Sequence, residues 1–210
     1  MNIPARKLKK SSVKNINRFT PTKANGGKTI LVESCLEALY CYHLEFDPNV
    51  ETYFPQPRTF TVSNGFEENT YTPDFYVRYF CGAQKYIEVK PQKNAELDSF
   101  QSLFIRFKES LVNTNIGFLV VNELDIEKEP LISNFQKLYQ FKKRPTLDLS
   151  KLYRCSESIS TSLSLGALIK SLEGKANLRE IYTWLALGYL VFDIESEKLT
   201  VNTLVEFHVN

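Results

Sequence analysis

Histidine is nearly absent from this sequence: His43 and His208 are the only two in 210 residues. That leaves little material for a zinc site or for a Ser/Cys–His catalytic pair. The four cysteines, Cys35, Cys41, Cys81 and Cys155, show no CxxC spacing, so reduced and mostly packed thiols are expected. No apolar run approaches the ~20 residues needed to cross a bilayer. The opening run MNIPARKLKKSSVKN lacks the apolar core of a secretion signal. These absences lead to the expectation of a soluble cytosolic protein with no membrane contact. Its polar chemistry must rest on carboxylates and lysine.

Acidic residues are also missing from everything before Glu33, although the net charge of the whole chain is only +2. Arg6, Lys7, Lys9, Lys10, Lys14, Arg18, Lys23 and Lys28 all fall in that stretch. Residues 1–29 therefore read as a flexible basic arm. Such an arm attracts phosphate backbones without sequence preference, but a merely solvated tail has the same composition. The whole chain has 43% hydrophobic residues, just below the usual range for folded proteins, and an ordinary 24% of charged ones, so global disorder is not expected.

Beyond the arm, VESCLEALYCYHLEF (32–46) has a helical apolar stripe of Val32, Cys35, Leu36, Leu39 and Phe46. Glu33 and Glu37 sit one turn apart on another face, shared with Tyr40, Cys41 and Leu44. VETYFPQPRTFTV (50–62) reads as extended, its prolines suiting an edge strand. SNGFEENT reads as a loop. Two aromatic-rich runs then flank a break at Cys81–Gln84, which predicts a hairpin. A helix over 95–111, a strand over 116–123 covered on both faces, and a helix over 130–141 follow. This order predicts an α/β domain with a mixed sheet over residues 30–146. From 147 to 210 the pattern changes to helices at 147–154, 164–173 and 177–187 and β-like runs at 189–194 and 198–207. Three helices followed by a hairpin is the order of a winged helix.

The hairpin expected over residues 71–91 carries Asp74, Glu88 and Lys90, although ionised groups near a core are costly unless compensated. Alternation along a strand puts Tyr86, Glu88 and Lys90 on one face, and folding about the break returns Asp74 towards them. Two carboxylates can hold a magnesium ion through hard oxygen ligands. The ion polarises a phosphoryl group and acidifies bound water, while a lysine offsets charge developing on phosphorus. A Glu-Val-Lys on a solvent-facing strand can also be a surface ion pair worth ~0–1 kcal/mol. Glu37 is the natural third acid, for a second metal or a metal-bound water, and Glu33 competes for the role.

The run ESCLEALYCYHLEFDPNVETYFPQP, followed by YTPDF and YIEVKP, resembles the TnsA-type endonucleases of heteromeric transposition systems. The resemblance implies a restriction-endonuclease-like mixed sheet flanked by helices, with a PD-(D/E)xK site, and a small C-terminal winged-helix domain. It implies that Glu37, Asp74, Glu88 and Lys90 are catalytic, with Asp74, Glu88, the Val89 backbone carbonyl and Glu37 as metal ligands. Gln56, in the Gln-Pro block, would shape the site. The implied cofactor is Mg2+, one ion or two, with Mn2+ able to substitute. The implied activity is nicking of one DNA strand at transposon ends during cut-and-paste excision in a prokaryotic cytosol. The implied partners are a TnsB-like transposase and a TnsC-like ATPase, the latter docking on the C-terminal domain. Lys93 joins Arg6, Lys7, Lys9, Lys10 and Lys14 as a candidate DNA contact. Two other readings stand beside this one: a stand-alone restriction or repair nuclease, and a non-catalytic DNA-binding adaptor with a degenerate nuclease fold.

Overall fold

The break between the two aromatic runs is a tight turn, because Gly82 adopts φ +84, a left-handed conformation that side chains disfavour. Around it the chain pairs antiparallel, Phe75 opposite Ile87 and Arg78 opposite Gln84. The computed structural model describes residues 5, 16–63, 68–159 and 161–209. Arg6, Lys7, Lys9, Lys10 and Lys14 lie outside the described residues, so their expected DNA contacts have no structural counterpart here. No helix among the described residues is long and apolar enough to cross a membrane.

The described chain divides into units 1–127 and 128–210. The first contains, in order, β1 (Asn17–Phe19), β2 (Ile30–Val32), α1 (Cys35–Phe46), β3 (Val50–Pro55), β4 (Phe60–Ser63) and β5 (Glu68–Tyr71). β6 (Phe75–Tyr79), β7 (Gln84–Val89), α2 (Gln92–Ala95), α3 (Asp98–Ser110), β8 (Ile116–Val121) and α4 (Glu123–Ile126) follow. The main sheet runs β3-β6-β7-β8, antiparallel except for the parallel β7–β8 pair. It is the mixed sheet flanked by helices that the sequence predicts. β3, which ends in Pro55, is an edge strand, where a missing N–H costs no ladder bond.

Four local expectations are corrected. The flexible arm does not extend to residue 29: β1 pairs with β2, and Phe19 and Ala24 are buried. The fixing group is Glu45, wholly buried on α1. Its carboxylate accepts the Thr22 and Lys23 backbone N–H groups at 3.0 and 3.2 Å and the Tyr53 hydroxyl at 2.9 Å. Secondly, α1 buries Glu37, Cys41, Leu44 and Glu45, while Cys35 of the expected stripe is exposed and Val32 belongs to β2. Thirdly, Glu68, Asn69 and Thr70 of the expected loop belong to the strand β5, which pairs with β4. Fourthly, β8 is an edge strand with Leu119 exposed, not a strand covered on both faces.

α3 covers one face of the sheet with an aromatic cluster. Phe107 is wholly buried, its ring centroid 4.6 Å from Tyr71, 4.9 Å from Phe60 and 5.0 Å from Phe118. Burying one such side chain stabilises by about 1.5–3 kcal/mol. The opposite face meets α1, where Tyr40 packs on Phe75. All four cysteines are free, with Cys41 and Cys155 buried and Cys35 and Cys81 exposed.

The second unit contains α5 (Leu131–Lys143), α6 (Leu149–Glu157), β9 (Leu163–Ser164), α7 (Leu165–Ser171), α8 (Leu178–Leu187), β10 (Leu190–Val191) and β11 (Leu204–Phe207). Its strands form one sheet in the order β10-β11-β9. α5 falls in this unit, although the change of sequence pattern puts the boundary at 146/147. The reason is packing: Phe141 stacks on Tyr182 of α8, and the buried Asn134 side chain bonds Ile194 O, Glu197 O and Leu199 N. Trp184, Ile181, Leu165 and Leu152 of this unit are fully buried.

Glu45→Ala would leave two backbone N–H groups and a phenol without their acceptor. It is expected to cost about 2–4 kcal/mol of unfolding free energy, read from urea denaturation.

Candidate active site

One step past the Phe75–Ile87 pair, Asp74 comes level with Glu88, and facing residues of antiparallel strands share a side of the sheet. Asp74 Oδ2 accepts the Val89 N–H at 2.8 Å, which fixes its carboxylate against β7. Glu88 is only 4% exposed. Its Oε2 accepts the Tyr71 hydroxyl at 2.7 Å, and its Oε1 lies 3.3 Å from Lys90 Nζ. Lys90 is half-buried, held in line by its backbone N–H on Val121 O at 2.9 Å, and its ammonium sits 3.9 Å from the Phe100 ring centroid.

Glu37 approaches from the start of α1, where Ser34 caps the helix by accepting the Glu37 N–H at 3.0 Å. The Glu37 carboxylate accepts the Glu33 N–H at 2.8 Å and the Ser34 hydroxyl at 2.9 Å. Glu37 is buried and Glu33 is half-buried, so of the two competing acids Glu37 is the inward one.

Burial raises the Asp74 carboxyl well above its ordinary value, and the negative charges of Glu88 and Glu37 raise it further; the Val89 N–H and Lys90 pull the other way. Burial also raises Glu37, against its hydrogen bonds from Glu33 and Ser34 and with added repulsion from Glu33 and Glu88. Burial and the Glu88 charge push the Tyr71 phenol far up, so it remains a donor to Glu88. Three carboxylates thus feel one another at a poorly solvated sheet margin.

No group of three or more His, Cys, Asp or Glu among the described residues is arranged to hold a metal ion. The donor set that is present, Asp74 and Glu88 beside the Val89 backbone, is the kind magnesium takes: one or two carboxylates, completed by water and substrate phosphate. These are hard oxygens, and the residues fit a divalent cation of that kind.

Gln56 follows the last residue of β3 and donates its backbone N–H to Asp74 O at 2.7 Å. Its φ of 47 is left-handed, it is 2% exposed, and neither amide atom has a partner among the described residues. Strain and an orphaned buried amide together mark a residue kept for something other than stability. Lys93 lies exposed on α2, just past Lys90, and makes no contact with the carboxylates. Sequence reasoning missed Tyr71 and Phe100. Tyr71 precedes Asp74 by three residues in YTPD, but its role needed the β4–β5 pairing; Phe100 looked like one more apolar position on a helix.

Residues 47–143 match the family model for the TnsA-like endonuclease N terminal. That span includes Gln56, Tyr71, Asp74, Glu88, Val89, Lys90, Lys93 and Phe100, while Glu37 precedes it. No curated protein matches the chain.

A carboxyl whose folded value is raised binds its proton more tightly in the folded state. Its contribution is most favourable below the unfolded value and is lost as pH rises through the folded one. Metal-free Asp74→Asn keeps an oxygen for the Val89 N–H and removes the charge. It is expected to melt above wild type at about pH 7, the gap closing towards about pH 4 in thermal melts. Gln56→Leu, which removes the orphaned amide at similar volume, is expected to gain about 1 kcal/mol in urea denaturation.

Proposed function

We propose, from the match of residues 47–143 to the TnsA-like endonuclease N-terminal family model, that the chain is the metal-dependent nuclease subunit of a heteromeric transposase. In this reading it nicks one DNA strand at the transposon ends during cut-and-paste excision. The observation that carries it is the level pairing of Asp74 and Glu88 beside Lys90, negative charge concentrated where solvent is scarce. Asp74, Glu88 and the Val89 carbonyl would hold Mg2+, or Mn2+ in its place. Bound there, the cation polarises the phosphoryl group and lowers the pKa of its water.

The chain's own residues do the rest. The Val89 N–H and the Tyr71 hydroxyl hold the two carboxylates in their orientation. Lys90 supplies fixed positive charge where charge develops on phosphorus. Glu37, buried and electrically linked to both acids, is placed to orient a water or to serve a second ion. The Gln56 amide offers one donor group and one acceptor to substrate or water.

The C-terminal unit runs helix, strand, helix, helix, strand, strand from α6 to β11, which supports a winged-helix reading. Its proposed task is docking a TnsC-like ATPase, with a TnsB-like transposase cutting the other strand. Glu180 and Lys151 pair at 2.7 Å in this unit, so that stretch offers phosphate little net charge.

Asp74→Ala and Glu88→Ala are each expected to abolish Mg2+-dependent nicking of end-bearing DNA. Circular dichroism and pull-down of the partner proteins should remain as in wild type. Wild-type cutting by both variants would remove the assignment. Efficient cutting by wild type without partners would instead favour a stand-alone nuclease.

A further inference from the structure

We propose that Phe100 is a positioning residue for Lys90, holding the ammonium at the site by its aromatic face. The inference rests on the nuclease reading above for the role of Lys90, and on geometry for the contact itself. Lys90 Nζ stands 3.3 Å from Glu88 Oε1. A strong charge-assisted hydrogen bond is about 2.7–2.9 Å, so this contact is loose and leaves a flexible four-carbon side chain underdetermined. The ring of Phe100 supplies the missing constraint, with the ammonium 3.9 Å from its centroid.

The ring is itself fixed. Phe100 packs edge-on against Phe104, centroids 3.9 Å apart at 78°. Phe104 meets Tyr71 at 6.5 Å and 71°, and the Tyr71 hydroxyl donates to Glu88. Contacts therefore run from Lys90 through Phe100, Phe104 and Tyr71 to Glu88, and back to Lys90. Phe100 and Phe104 of α3 thus bear on both the Lys90 ammonium and, through Tyr71, the Glu88 carboxylate.

The choice of an aromatic has a chemical reason. A second carboxylate would hold the ammonium more strongly, but it would cancel its charge and add to the crowding of Asp74, Glu88 and Glu37. The π face attracts the cation with no formal charge of its own. Lys90 therefore keeps its full charge and its free N–H donors for a phosphate, and its side chain remains 30% exposed to receive one.

The test compares full-length wild type with Phe100→Leu and Phe100→Tyr. In metal-free protein with 13C-labelled lysine, ring current should shield the Lys90 ε-CH2 protons in wild type and Phe100→Tyr. In Phe100→Leu their signal should move to the position of an exposed lysine. Single-turnover nicking at saturating DNA should fall about tenfold in Phe100→Leu and recover in Phe100→Tyr. DNA affinity measured in Ca2+ should stay within about twofold, because the contact acts on the reaction and not on ground-state binding. An unshielded Lys90 signal in wild type overturns the proposal. So does an undiminished nicking rate in Phe100→Leu, or a folded Phe100→Tyr that fails as the leucine variant does. If wild type nicks nothing, the nuclease reading falls while the NMR comparison still decides whether Phe100 holds Lys90.

Discussion

Mutual repulsion among Asp74, Glu88 and Glu37 is the constraint around which the first unit is arranged. Burial raises Asp74 and Glu37, and each is raised further by the charge of Glu88. A sheet margin selected for stability alone would not place acids there, because like charges in low dielectric are among the costlier arrangements in a protein. Each acid is instead held by a hydrogen-bond donor: a strand N–H on Asp74, a phenol on Glu88, the helix-capping Ser34 hydroxyl on Glu37. The nearby ammonium is itself held by Glu88 and an aromatic ring. These donors keep the three carboxylates apart from solvent and close to one another at the sheet margin.

α1 shows how one helix can carry two buried acids with opposite purposes. Near its C-terminal end, Glu45 is wholly buried and satisfied by backbone N–H groups and hydroxyls of the 16–29 segment and β3. That carboxylate is structural and ties the N-terminal segment to the sheet. At the other end, Glu37 is also hydrogen-bonded, yet it stays within electrostatic reach of Asp74 and Glu88. The difference lies in the surroundings: Glu45 accepts from Thr22, Lys23 and Tyr53, while Glu37 also feels the charges of Glu33 and Glu88.

The family match and the compact units cut the chain at different places. The match begins at residue 47, beyond α1 and Glu37, yet α1 is integral to the first unit through the Glu45 contacts and the packing of Tyr40 on Phe75. The match ends at residue 143, while α5 shares its core with α8 in the second unit. Segments joined by packing need not coincide with segments that share a sequence pattern.

By itself the sequence determined the hairpin, the mixed α/β order and the grouping of Asp74, Glu88 and Lys90. The reason is that strand alternation and a short turn fix which residues share a face within a few positions of one another. It misjudged α1, because a helix with acids on its inner face has no clean apolar stripe, and it missed the β4–β5 pairing and the packed 16–29 segment, whose partners are distant in sequence. Only the tertiary structure decided that Tyr71 donates to Glu88, that Phe100 faces Lys90, and that Gln56 is buried with an unpartnered amide. Those three facts depend on how a helix or a second hairpin lands on the sheet, and local periodicity carries no information about that landing.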